Sequence, residues 1–226
     1  MAVHQAGKLL ASYELLAEKS HSGLLTTLIT EAVRHTGFIL SDLDAIAVAK
    51  GPGSYTGLRI GTSTAKGLCY TLDKPLLAVN TLEAMAYQLK DFFDENHLLC
   101  PMIDARRMEV YCGIYQKQKL LLDQTTEASF LKEIQATEAK IIDSSAFETL
   151  LSQHKTVFFG DGAAKCKDQL GQQPNAIFLE TDVYPSAKTI GFLATQRLAN
   201  HQIEDLVSFE PFYLKDFFMP VKKASK

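Results

Sequence analysis

The sequence predicts an α/β layer protein whose character changes near its midpoint. Two observations carry the class. Over about the first hundred residues, short apolar runs of strand length alternate with segments of helical period, as in layered sheets and helices. One such run, Ala45-Ile46-Ala47-Val48-Ala49, leads directly into a glycine-rich turn and then a helix, the junction found in strand–loop–helix units. A third observation sets the division. After Asp94–His97 hairpin-like strand pairs replace the alternation, which places a first lobe at 1–95 and a second at 96–226.

In chain order, Gln5-Ala6-Gly7 reads as a turn and Lys8–Leu16 as a strand. Ser22–Thr36 reads as a helix, because Leu25, Leu28, Ile29, Ala32 and Val33 recur on one face, and Gly37 stops it. Ala45–Ala49, bounded by charge and glycine, suits a strand buried on both faces. A second helix is expected from about Thr56 to Leu72, ended by Lys74-Pro75. Leu76–Val79 reads as a buried strand and Thr81 as the cap of a helix reaching about Phe93. Leu98–Ile103 and Val110–Tyr115 resemble two strands of a hairpin with Asp104-Ala105-Arg106-Arg107 near the turn. Further strands are expected near Ile141 and at Thr156–Phe159, with a turn at Asp161-Gly162. Ser186 is the expected cap of a last helix reaching about His201, which packs back on the first lobe. The tail Lys222–Lys226 is expected to fray.

The glycine run GPGSYTGLRIG (Gly51–Gly61) admits two physical accounts. Gly51-Pro52-Gly53 lies between a strand and a helix, where backbone N–H groups and the helix dipole favour an anion. The same glycines also serve a simple sharp turn. The run is neither a Walker A loop, since no Gly-Lys-Ser/Thr follows, nor G-x-G-x-x-G. The candidate nucleotide contacts are Gly51, Gly53, Ser54, Asp161 and Gly162. Gly57, Gly61 and Ala65 recur every fourth residue, with Cys69 continuing the row. Such a row lets another helix approach closely, by the packing logic of small-residue interfaces. That helix is internal or belongs to a partner.

Bulk composition narrows the function classes. The chain has 226 residues, 46% hydrophobic and 22% charged, with a formal net charge of −3. The charge argues against binding nucleic acid alone through a basic field. No run of about eighteen apolar residues suggests a membrane span, and no secretory leader is read at the start. The four cysteines form no C-x-x-C pair, so no metal site or disulfide framework is expected, and a cytoplasmic location is.

The segment from Ala47 to Ala84, with GPGSYTGLRIG at its centre and LLAVNTLEAMA at its end, resembles the TsaB family. IDARRMEVY (Ile103–Tyr111), FGDGA (Phe159–Ala163), PFYLK (Pro211–Lys215) and Ser20-His21-Ser22 agree with it in order. The resemblance implies a two-lobed actin-like, RNase H-like ATPase (sugar kinase-like) fold. It also implies a non-catalytic subunit needed for threonylcarbamoyl transfer to the adenosine 3′ of the tRNA anticodon. The implied partners are the catalytic paralogue TsaD and the ATPase TsaE, with tRNA met only within the complex and no membrane. A homodimer is implied when TsaD is absent. Pairing through the first two long helices implies an interface of Leu25, Leu28, Ile29, Ala32, Gly57, Leu58, Gly61, Ala65 and Leu68. TsaB proteins begin with an additional strand carrying an Asp/Glu-Thr-Ser/Ala pattern. Here the chain opens inside the second strand, so the N-terminal strand is expected to be missing, a start codon assigned too late being the favoured account.

The residues add an independent argument against catalysis. TsaD carries a His-x-x-x-His on its first helix, whereas His21 is followed at i+4 by Leu25, and one imidazole does not hold a catalytic metal. No metal or cofactor is expected. Asp104, Arg106 and Glu109 read as a turn with local ion pairs, the alternative being a ligand site in the cleft. Two other classes stay open. One is a nucleotide-binding enzyme of the actin-like superfamily. The other is a peptidase acting on TsaD, for which Ser54, Tyr55 and Thr56 supply hydroxyls but no nearby histidine.

Overall fold

The computed structural model describes residues 1–15, 21–121 and 127–215. Ser20 and the tail Lys222–Lys226 lie outside the described residues. β1 (Ala2–Gln5) and β2 (Lys8–Ser12) form an antiparallel hairpin. α1 (His21–His35) lays Ala32 and Val33 against Val3 of β1 in a small core. β3 (Ile46–Gly51), α2 (Tyr55–Leu72) and β4 (Leu76–Asn80) make a parallel β-α-β unit. α3 (Thr81–Leu89) follows without a linker.

The second lobe is a continuous five-stranded sheet. β5 (His97–Asp104), β6 (Glu109–Leu121) and β7 (Glu127–Ile141) are antiparallel neighbours, while β8 (Lys155–Phe159) and β9 (Ala176–Phe178) extend it in parallel on the other side of β5. Alternation along β5 explains its two faces. Leu98, Cys100 and Met102 enter one core with Leu151 of α4 (Glu148–Gln153) and Leu170 of α5 (Lys167–Leu170). Leu99 enters the other with Leu82, Met85 and Ala86 of α3. α3 also sends Ala84 into a first-lobe core with Ile190, Leu193 and Ala194 of α6 (Ala187–Ala199), so one short helix packs on both lobes. α6 lies across β1, β2, β3 and β4.

Several expectations change in detail. The cap of α3 is Asn80, whose Oδ1 accepts from Leu82 N at 2.8 Å; Thr81 is the first helical residue. α3 ends at Leu89, four residues short of Phe93, and the Lys90 side chain that follows bonds Asp91 and Ser129. The β6–β7 hairpin is far longer than expected, since charged and amide residues interrupt the apolar ones along its outer half. α4, α5 and β9 are too short to show a period. Ser186 does cap α6, accepting from Lys188 N at 3.3 Å, and the helix stops at Ala199.

The run Ala45–Ala49 has helices on both faces, Ala45 and Ala49 packing on the α6 side and Ile46 and Val48 on the α2 side, but it has a strand neighbour on one side only. Among the described residues β3 pairs with β4 alone, and the first lobe holds two separate two-stranded sheets. β3 is therefore an edge, and Ala47 is exposed. An apolar run reports what a strand tolerates, not how many neighbours it has.

Candidate functional site

The turn after β3 is built by backbone constraints. Gly51 has φ +109, and a Cβ there would fall 2.9 Å from the Phe212 carbonyl oxygen, so only glycine lets the C-terminal segment pass. Ser54 caps α2 through Gly57 N at 3.3 Å. Its hydroxyl is thereby engaged as an acceptor at a helix start.

Beyond this turn a cavity of about 370 Å³ opens between the lobes. Gly53, Ser54, Gly57, Leu58 and Gly61 line one side; Thr81 and Met85 of α3 form its wall; Ile103, Asp161 and Tyr184 close it from the second lobe. Thr81 is 3% exposed, and its Oγ1 has no hydrogen-bond partner. An orphaned buried hydroxyl costs free energy and points to a missing polar contact. The Asp161 carboxylate accepts from Asp104 N at 3.0 Å, which ties the cavity rim to the end of β5.

Of the candidate nucleotide contacts, the structure brings together Gly53, Ser54 and Asp161. Gly51 faces the C-terminal segment, and Gly162 packs so closely on β5 that a Cβ would lie 2.9 Å from the Ile103 carbonyl carbon. Thr81 and Tyr184 were not singled out from sequence. A threonine at a helix start signals only a cap, and Tyr184 lies outside any periodic element.

The small-residue row on α2 turns inward along its length, from exposed Gly57 through half-buried Gly61 to buried Ala65 and Cys69. Ala65 is 5% exposed and Cys69 is buried, in one core with Leu76, Ala78 and Phe209, and a Cβ on Gly61 would sit 3.7 Å from Val48. The close approach is made by the protein's own sheet. The expected interface set therefore divides. Ala32 and Ala65 are core residues; Gly57, Leu58 and Gly61 line the cavity; Leu25, Leu28, Ile29 and Leu68 are half-buried on α1 and α2. Beside them Leu24 is 46% exposed.

Asp104 and Glu109 do form a turn with ion pairs, but their partners come from afar. Lys165 holds the Asp104 carboxylate, and Lys215 holds that of Glu109. The Lys165 ammonium keeps the Asp104 carboxyl below its ordinary range. Burial pushes the thiols up: Cys166 to about 11, and Cys100 well above its usual value. These thiols are packing groups rather than nucleophiles. Among the described residues no group of three or more His, Cys, Asp or Glu gathers as metal ligands, and no helix is long and apolar enough to cross a membrane.

Comparison with known proteins follows this geometry. The family model described as TsaD, tRNA N6-adenosine threonylcarbamoyltransferase, matches residues 15–220. The tRNA threonylcarbamoyladenosine biosynthesis protein TsaB of Bacillus subtilis (strain 168) is 39% identical over 124 residues, 55% of this chain and 53% of that protein. This match spans about half the relative's length. The Escherichia coli (strain K12) protein of the same name is 28% identical over 219 residues, 96% of this chain and 89% of its own length. A solved Pseudomonas aeruginosa structure, described as an uncharacterized protein with similarity to peptidase YeaZ, superposes with TM-score 0.77 at 26% identity, covering 95% of this chain and 93% of that one. The fold is that of the actin-like, RNase H-like class.

Proposed function

We propose that this chain, which belongs to the family described by the TsaD model as one of its TsaB members, is an accessory subunit in making threonylcarbamoyladenosine in tRNA. It acts by binding the catalytic paralogue TsaD, in company with the ATPase TsaE, and meets tRNA only within that assembly, in the cytoplasm. Without TsaD the same surface pairs two copies of the chain.

One observation carries the proposal. Leu25, Leu28, Ile29 and Leu68 lie half-buried on α1 and α2 with Leu24 exposed beside them, an apolar surface that the chain's own elements leave open. Residues of the small-residue row do not belong to it. Co-purification of the chain with TsaD tests the surface. Leu25→Glu and Leu28→Glu are expected to remove the complex while the free chain stays folded, its unfolding midpoint lowered only modestly. A complex of native affinity in both variants overturns the placement.

A second reading is favoured by the cavity and the Thr81 hydroxyl: a nucleotide bound by Gly53, Ser54 and Asp161 in an actin-like ATPase. Calorimetry with ATP and magnesium decides it. Micromolar binding that Gly53→Val abolishes supports a nucleotide site; no heat from the isolated chain removes it.

A further inference from the structure

After α6 the described residues run as a strap over the first lobe and, at Lys215, reach the second. Glu204 N donates to Leu76 O at 2.9 Å, and Phe209 is buried beside Ala65 and Cys69. The Lys66 ammonium donates to the carbonyls of Val207 and Phe209, both at 3.1 Å. Phe212 N donates to Lys50 O at 2.7 Å. Tyr213 packs tilted against Tyr55, with 5.0 Å between ring centres, and Arg59 Nε donates to its hydroxyl at 3.4 Å. The strap then leaves the first lobe. Lys215 reaches the carboxylate of Glu109 and donates to Ala105 O at 3.3 Å.

The receiving turn is a strained one. Arg106 and Arg107 both have positive φ, +67 and +47, a conformation that non-glycine residues hold only when their surroundings impose it. Two lysines impose it. Lys165, from within the second lobe, donates to Arg107 O at 2.8 Å and Glu109 O at 2.7 Å and holds the Asp104 carboxylate. Lys215 supplies the other support, and it is the one carried by the strap that crosses the first lobe. The same turn carries the Asp104 N–H that positions Asp161 on the cavity rim.

We propose that residues 203–215 are an interlobe latch whose releasable catch is the Lys215–Glu109 contact, holding the Asp104–Glu109 turn and the Asp161 rim in place. The pins are graded. Phe209 and the backbone bonds of Glu204 and Phe212 are apolar or main-chain contacts, insensitive to salt. The catch is a partly exposed ion pair, which salt screens. Release therefore frees the turn and the rim, while the rest of the strap stays on α2. Because the strap lies on α2 through Lys66, Arg59 and Tyr55, it joins that helix mechanically to the second-lobe wall of the cavity. The latch stands whether or not α1 and α2 bind TsaD.

Amide hydrogen exchange on the intact chain tests it, with Lys215→Met, Lys215→Arg and the unmodified protein. Lys215→Met is expected to speed exchange of Arg106–Glu109 and Asp161 by about threefold, the scale of one partly exposed ion pair. Exchange on β5 and β8 stays unchanged, and Lys215→Arg restores the slow rate. Raising the salt speeds the same amides more in the unmodified protein than in Lys215→Met, where only the Asp104–Lys165 pair is left to screen. Unchanged exchange of the turn in Lys215→Met overturns the latch. So does uniform acceleration that includes β5 and β8, or a salt effect as large in Lys215→Met as in the unmodified protein.

Discussion

The second lobe covers both faces of its sheet with its own helices and α3, so that Phe158 sits fully buried between Phe147 and Phe178. The first lobe has two pairs of strands in separate sheets, with Ala47 exposed on β3 and Leu24 exposed on α1. What closes the first lobe arrives from far along the chain: α6 over β1–β4, and Phe209 against α2. The difference separates two uses of apolar residues. In the second lobe they are consumed by self-packing. In the first, part of the stripe on α1 stays half-buried.

The largest expected contrast is between Phe158 and Leu28. Phe158→Ala should cost about 4 kcal/mol and Leu28→Ala about 1 kcal/mol, read from urea unfolding of each variant. Equal losses would make α1 a core helix and erase the distinction. Next is the inner face of α2. Ala65→Glu places a charge against Leu76 and Phe209 and should cost about 3 kcal/mol, whereas Ser63→Glu, on the exposed face, should stay within about 0.5 kcal/mol. A neutral Ala65→Glu would return the small-residue row to the surface.

A smaller difference is expected among the buried thiols. Cys69 belongs to the loosely closed lobe, and Cys100, Cys112 and Cys166 to the continuous one. Alkylation of the native protein should label Cys69 about tenfold faster, through local opening of the strap and α2. Simultaneous labelling of all four would mean that the lobes open as one unit.

The smallest concerns the Asp104–Lys165 pair. The folded carboxyl titrates below its ordinary 3.8, so its contribution is complete above that pH and is lost as pH falls through the folded value. The stability difference between the unmodified protein and Lys165→Met should hold at neutral pH and shrink below about pH 4. Urea midpoints between pH 6 and 3 measure it; a difference independent of pH would show that Lys165 acts only through the carbonyls of Arg107 and Glu109.

By itself the sequence determined what local chemistry sets. The alternation of apolar runs placed β3, α2 and β4. Ser186 marked the start of α6, and Gly51 the sharp turn that no side chain fits. Tertiary structure alone decided which way each patterned face looks. Gly57, Gly61, Ala65 and Cys69 have the same spacing whether a partner helix or the chain's own sheet approaches them. Asp104 and Lys165 are 61 positions apart, so no local pattern links them. Ala45–Ala49 reads as a strand buried on both faces, but only the fold decides that α2 and α6 supply the two covers, and the hydroxyl of Thr81 is orphaned only because the lobes enclose it. Periodicity records which residues share a face. What meets that face is settled by burial and by contacts between distant parts of the chain.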